Sequence, residues 1–326
     1  MGNRWIGVKE ESVYGTKPSW VSGVHYYPVT EYTATPNNNT MPLKESVNLM
    51  NAGGILGGFV GEGKLSMYAR PDNLPYFLKW LWGNVTTSGG PVYKHAFTVA
   101  EGVKTFSLEY CHGYPAVNSI FALGCVVKRL ELAASQTRPG MANFTLQYNT
   151  EDDASAASTL GTVPALRPLT LFDATVTSFG ETLKCENITV TMERTIPDDS
   201  FTSGSRFLPD VSEEGFSITG EFDARFQSLT QRAKFYGGAG ASTSPQNDFL
   251  TGALTANFLG PVSGGSPSNY SMNISCPAIA ITEIESGTVN RERLRQRLRF
   301  EAYSYTSAGV AAVNEIDLWN TVAGPL

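Results

Sequence analysis

Gly58-Phe59-Val60-Gly61-Glu62-Gly63-Lys64-Leu65-Ser66-Met67-Tyr68-Ala69-Arg70-Pro71-Asp72-Asn73-Leu74-Pro75-Tyr76-Phe77-Leu78-Lys79-Trp80-Leu81-Trp82-Gly83 reads as a glycine-opened strand, a break at Arg70-Pro71 and a short amphipathic helix. Leu74, Phe77, Leu78 and Leu81 fall at i, i+3, i+4 and i+7, one stripe of a helix with 3.6 residues per turn. Asn73 is placed to cap the helix start. Pro75 is tolerated there because first-turn N–H groups have no intrahelical partner. Gly83 supplies a left-handed stop.

The same device returns in the second half. Gly215-Phe216-Ser217-Ile218-Thr219-Gly220-Glu221-Phe222-Asp223-Ala224-Arg225-Phe226 reads as the strand, and Ser228 to Gly237 as the helix. Ser228 and Gln231 have capping-box spacing, Leu229, Ala233 and Tyr236 form the stripe, and Gly237 stops the helix. A strand feeding a short helix, used twice, predicts two domains in tandem.

The bulk numbers agree with a folded, turn-rich chain. There are 326 residues, ample for two cores, with 41% hydrophobic and only 17% charged residues, 32 glycines and 18 prolines. A net charge of −6 argues against a sequence-independent DNA binder, which needs a basic footprint. Cys111, Cys125, Cys185 and Cys276 show no CxxC pairing and are expected as buried free thiols of a reducing compartment. Nothing suggests a secretory leader, and no apolar run approaches the ~20 residues of a membrane span.

Along the chain, residues 4–35 alternate in strand fashion and 36–54 are loop-like, with polar turns at Pro36–Thr40 and Ala52–Gly54. A turn comes after the first helix at 86–91, and then strands around Phe97, Phe106–Tyr110, Val126–Leu132 and Asn143–Tyr148. Residues 149–164, small and polar, are the best linker. The second half repeats the order: a strand at Cys185–Arg194, a polar loop at 197–213, the Gly220 strand and Ser228 helix, strands at Tyr270–Cys276 and Ile279–Glu285, and a last strand through Phe300.

Motifs for chemistry are thin. Gly58 to Leu65 satisfies G-x-x-x-x-G-K, but a phosphate loop needs Ser or Thr after the lysine and a helix opening there. Leu65 cannot ligate Mg²⁺, and the segment reads as extended. His25, His95 and His112 lie in no zinc spacing, and Cys111-His112, adjacent in a strand, point to opposite faces. The acidic pairs Asp152-Asp153, Asp198-Asp199 and Glu213-Glu214 fall in loops, where solvated charge is the default. No catalytic, cofactor or metal site is expected, and the chain is not read as an enzyme.

One charge pattern stands out. Arg291, Arg293, Arg295, Arg297 and Arg299 alternate with other residues, so that a strand presents all five on one face. Such a ladder suits carboxylates across an assembly interface. Glu221 and Asp223, or Glu283 and Glu285, are candidates of opposite sign.

The opening Trp5-Ile6-Gly7-Val8-Lys9-Glu10-Glu11-Ser12-Val13-Tyr14-Gly15-Thr16 resembles the start of tail tube proteins of long-tailed bacteriophages, and Gly61–Gly83 resembles their strand-then-helix core. The resemblance covers the first half well and the second by pattern. It implies a mainly β fold: two tandem β-sandwich or barrel tail-tube-like domains, 1–155 and 156–326, each with one flanking helix. It also implies subunits that close into rings, stack into a tube and let genomic DNA pass, with tape measure and tail terminator proteins as partners. The location implied is the virion tail, assembled in the host cytoplasm. Single-domain members form sixfold rings, so two domains per chain predict a trimeric, pseudo-sixfold ring. Glu221 and Asp223 are expected to face the lumen, and the arginine ladder to lie at an interface. The alternative is a carbohydrate-binding or glycan-cleaving β-sandwich module of a tail-tip or cell-surface protein.

Overall fold

The computed structural model describes residues 5–44, 50–51, 53–112, 118–154, 158–237, 244–247, 249–286, 294–324 and 326. The first half runs β1 (Trp5–Glu10), β2 (His25–Pro28), β3 (Glu31–Asn37), β4 (Met41–Leu43), β5 (Gly53–Ile55), β6 (Val60–Tyr68), α1 (Pro75–Trp82), β7 (Gly83–Gly89), β8 (Tyr93–Val99), β9 (Phe106–His112), β10 (Asn118–Ser135), β11 (Arg138–Tyr148) and β12 (Thr150–Ala154). A 3-10 turn at Leu171–Asp173 leads into β13 (Ala174–Ser178), β14 (Glu181–Leu183), β15 (Cys185–Thr195), β16 (Gly215–Arg225), α2 (Thr230–Phe235), β17 (Gly252–Val262), β18 (Asn269–Ser286), β19 (Arg295–Ala302) and β20 (Glu315–Asn320).

Two long strands organise this order, each serving two sheets. The front of β10 pairs with β9 and β12, and its back with β11 and β15. The front of β18 pairs with β17 and β20, and its back with β19. Both bend in the middle. In β10 the register shifts between Ala122 and Cys125, around Gly124 in the left-handed region; in β18 the pairing to β17 shifts across Cys276–Ile279, which contains Pro277. An extra residue on one strand bends it and re-aims the side chains beyond the bend. The other pairings recur too: β1 with β2 and β9 as β13 with β14 and β17, and β6 between β3 and β11 as β16 between β15 and β19. Every pairing is antiparallel.

β6 alternates buried and exposed residues as a half-buried strand does. Its glycines make room for aromatic rings, Tyr148 at Gly61 and Tyr32 at Gly63. A Cβ on Gly61 would sit 2.0 Å from the Tyr148 ring. Gly83 ends α1 at φ 86° and Gly237 follows α2 at φ 80°, as expected. The caps differ from expectation. Asn73 does not cap α1; its amide accepts from Arg70 N–H and donates to the Tyr68 carbonyl, closing the turn before the helix. Ser228 does accept from Thr230 N–H, but Gln231 turns into the protein and Leu229 is exposed.

Three loop expectations give way to strands, the first at 36–54, where β4 and β5 pair with each other. β7 starts directly at Gly83, and β12 occupies the front of the expected linker, because each finds a long neighbour to pair with (β8 and β10). One apolar cluster runs through both halves, from Ile6, Leu65, Phe77, Trp80 and Phe144 to Phe222, Leu254, Leu298 and Leu318. The halves also join through strands: β10 pairs with β15, and the β7–β8 hairpin, which has no counterpart among the described residues of the second half, pairs with β20.

Candidate functional site

Chaining the pairings gives one antiparallel sheet of eight strands in the order β3-β6-β11-β10-β15-β16-β19-β18, four from each half. Because side chains alternate with period two, the registers sort the residues into two faces. Leu65, Phe144, Leu130, Val190, Phe222 and Leu298 point into the core. Thr33, Lys64, Thr145, Arg129, Thr191, Glu221, Arg299 and Glu283 lie on the other face, which no other element covers among the described residues.

The structure brings together the residues singled out in the sequence. Glu221 is opposite Arg299 and Asp223 opposite Arg297 across β16 and β19, so both pairs share the polar face. Arg297 Nε donates to Asp223 at 2.9 Å, and Arg299 Nε to Glu221 at 3.2 Å. Arg299 also pairs with Glu283. Arg295 and Arg225 both reach Glu186, at 2.9 and 3.0 Å, a bridging carboxylate that sequence reading missed. The carboxylates expected in a lumen and the arginines expected at an interface are therefore direct neighbours within one chain. Arg291 and Arg293 lie outside the described residues.

The pairing shows in the titration of these groups. Partial burial by itself would raise the Asp223 carboxyl. Hydrogen bonds from Arg297 and Asn187 and the charges of Arg297 and Arg295 outweigh it and hold the group below its ordinary value. The same contacts raise the guanidiniums: Asp223 acts on Arg297, and Glu221 with Glu283 on Arg299. In a solvated ladder such pairs add little stability, so the ladder shapes a surface potential more than it holds the fold.

The two long loops meet as well. Phe59 N–H donates to the Arg206 carbonyl, Arg206 donates to the Gly57 carbonyl and to Asn38, and the Phe201 ring covers Gly58. The β4–β5 hairpin above this contact exposes Met41, Leu43 and Ile55. Glu213, expected as a solvated loop charge, is instead paired with the buried Arg194. Arg194 also donates to the carbonyls of Leu81 and Ala100, tying the end of α1 to β15. No local signal marks that pair, since its members lie in a strand and in a distant loop.

Other chemistry finds little support in the geometry. The glycine-lysine segment is strand β6, with no helix at Lys64. Among the described residues no group of three or more His, Cys, Asp or Glu could hold a metal ion. Burial raises the thiols of Cys185 and Cys276 to about 12, and Cys125 is also buried and free. His95 is buried among Thr87, Asn320 and the Val322 carbonyl, a packing role. No helix among the described residues is long and apolar enough to cross a membrane.

A search of curated proteins finds no match to this sequence. A family model described as phage tail tube protein matches residues 4–292. That match covers nearly the whole chain, including β10, β18 and every strand of the polar sheet except β19, and the protein belongs to the phage tail tube family.

Proposed function

We propose that this phage tail structural protein closes three chains into a ring, that the rings stack into the tail tube, and that genomic DNA passes through the bore into the host. Each chain supplies two tube domains in tandem, 1–155 and 156–326. The observation carrying this reading is the recurrence of one pairing scheme in both halves, each contributing four strands to a single sheet. A ring of three such chains repeats that scheme six times, and ring symmetry then fixes how many joints must close.

The polar sheet face faces the bore in this reading, with Glu221 and Asp223 on it and Arg295, Arg297 and Arg299 beside them. A conduit must not grip phosphates, since each neutralised phosphate adds salt-dependent affinity. Guanidiniums already held by Asp223, Glu221, Glu283 and Glu186 are poorly free for that. The β4–β5 hairpin, with its exposed apolar side chains, contacts the next ring. Assembly takes place in the host cytoplasm, with tape measure and tail terminator proteins as further partners.

Cryo-electron microscopy of the purified protein tests this directly. Tubes with three chains per ring and the polar face inward are expected. Six chains per ring, with one half outside, overturn the tandem reading; a strictly monomeric glycan-binding protein overturns the tube reading.

A further inference from the structure

We infer that the outward face of the second sheet binds a neutral glycan, so that the assembled tail carries a lattice of weak carbohydrate sites centred on Trp319. The binding chemistry belongs to the single chain. Placing this face on the outside of a tube rests on the ring reading above.

Across the core from the eight-stranded sheet, the pairings chain a second sheet of seven strands, β14-β13-β17-β18-β20-β8-β7. On one side Val176, Ala256, Ile274, Ile316 and Phe97 stand in register and pack into the core. The residues between them point away from it. There, directly opposed residues form rungs. Thr177, Thr255, Ser275, Glu315, Thr98 and Asn84 make one. Asn257, Asn273 and Asp317 lie in the next, and Ser271, Trp319 and Lys94 in the third. Neighbours along a rung are about 4.8 Å apart, the spacing of strands in a sheet.

The counterpart face of the first half is closed by the chain itself. The connection between β1 and β2, residues 11–24, lies over it. Trp20 packs edge-on against Phe121 at 4.8 Å and donates to Glu109 at 2.7 Å, and Lys17 sits over the Phe121 ring. The backbone of Ser158, in the linker, donates to Glu109 as well. In the second half β13 and β14 are joined by Phe179-Gly180 alone, and no described segment crosses the face.

The chemistry of the open face selects its partner. Threonine, serine and asparagine side chains both donate and accept hydrogen bonds, as the hydroxyls of a sugar do. The charges in these rungs are Lys94, Asp317 and Glu315, and Lys94 pairs with Asp317 at 2.9 Å. Nucleic acid needs a basic footprint and a lipid surface a broad apolar one, and the face offers neither. Protein interfaces draw their energy from aromatic and arginine anchors and under-use serine and threonine, so rows of hydroxyls make a poor protein dock. A neutral polyol matches the face in charge and in hydrogen bonding. Trp319 is partly exposed and gives the apolar side of a sugar ring a platform, with Ser271, Asn273 and Asp317 placed for its edge. The Asp317 oxygen that Lys94 leaves free is buried without a hydrogen-bond partner, an acceptor that a ligand hydroxyl satisfies. Each site is shallow, but a tube repeats it once per chain, and multivalent contact turns weak sites into firm retention.

The test is biolayer interferometry of assembled tubes and of the unassembled chain on immobilised dextran, amylopectin, mannan and xyloglucan. Heparin and duplex DNA serve as charged probes. Retention on at least one neutral probe is expected, with tubes leaving far more slowly than single chains. Trp319→Ala and Asn273→Ala are each expected to weaken single-chain binding about tenfold, while Lys104→Ala, in the loop before β9, leaves it unchanged. Three-chain rings that bind no neutral probe overturn the glycan site and leave the ring reading standing. Binding that both variants retain overturns the assignment to this face. Binding to heparin or DNA that the two variants lose overturns the neutral class, and loss of another tail protein in place of a sugar makes the face a protein dock. A monomeric chain that binds through Trp319 supports the site and overturns the ring. If Trp319→Ala does not fold, Asn273→Ala decides.

Discussion

The two halves share one strand order and differ in what fills the corner after the central strand. In the first half α1 has eight residues, and Phe77, Leu78, Trp80, Leu81 and Trp82 are all buried. Trp80 stacks on Phe106 at 4.0 Å, while Trp82 reaches across to Phe216 of the second half at 5.2 Å. In the second half α2 has six residues, its buried members are Gln231 and Ala233, and Leu229 and Phe235 are exposed. Gln231 donates to the Ser178 carbonyl at 3.1 Å and to Glu181 at 3.0 Å. The same slot in a repeated fold can thus be held by apolar burial or by a polar latch, and the two differ in strength.

The largest effect is expected from Trp80→Ala. A fully buried aromatic truncated to alanine loses transfer free energy and leaves a cavity, about 3–5 kcal/mol. The denaturant midpoint, read at constant m-value, measures it. A loss under about 1 kcal/mol removes the first half's claim to the stronger corner.

Next comes the tie between the halves at Arg194, which has no equivalent at α2 among the described residues. Its side chain is 1% exposed, pairs with Glu213, and donates to Leu81 and Ala100 carbonyls at 2.9 and 3.1 Å. Burial lowers the pKa of this guanidinium, a sign of how unwelcome the charge would be alone. Glu213→Ala strands it and is expected to cost about 3 kcal/mol, whereas Arg194→Met leaves Glu213, which is 23% exposed, closer to water and costs less. Equal losses from the two variants contradict this asymmetry.

These cases also mark what a single sequence reveals. The β6 alternation and the Leu74–Leu81 stripe are local periodicities, and both are found in place. The arginine ladder was visible because strand parity is local. Its partners were visible only as candidates, since strand order decides that Arg297 meets Asp223 and not Glu285 first. β18 reads as two short strands, Tyr270–Cys276 and Ile279–Glu285, and of β10 only the back, Val126–Leu132, is read, because each strand bends in the middle and changes partners there. β12, Thr-Glu-Asp-Asp-Ala, has poor strand propensity and is extended because β10 offers an edge. Arg194 with Glu213 could not be read at all: tertiary distance, not pattern, makes that pair.

The polar latch gives a smaller effect than Trp80. Gln231→Ala removes donors to Ser178 and Glu181 and is expected to cost about 1–2 kcal/mol. Hydrogen exchange at α2 and the β13–β14 hairpin should rise first, with α1 unchanged. Uniform acceleration across both halves would mean that the latch serves the whole core.

The smallest effect concerns the polar face, where the halves differ in charge and not in backbone. Where β19 carries Arg297 and Arg299 beside Asp223 and Glu221, β11 and β6 carry Asn143 and Thr145 beside Ser66 and Lys64. The first half's polar face carries two separate pairs, Lys64–Glu62 and Arg129–Glu131, and the interlocked ladder whose acid response Asp223 reports belongs to the second half. The Asp223 carboxyl is held below its ordinary value near 3.9 despite partial burial, by Arg297, Asn187 and Arg295. A depressed carboxylate contributes stability that is fully present above its unfolded value and is lost as pH falls through its folded one. The stability gap between wild type and Asp223→Asn should be below about 1 kcal/mol at neutral pH, constant down to about pH 4, and closed once Asp223 is protonated in both states. Molar salt should shrink it further, because Arg297 is 44% exposed and the pair is open to screening. Melting curves of both proteins across pH 2–7 measure the gap. A gap that persists unchanged at the lowest pH would mean that Asp223 acts through its hydrogen bond with Asn187 and its packing, and the charge difference between the halves would then carry no stability of its own.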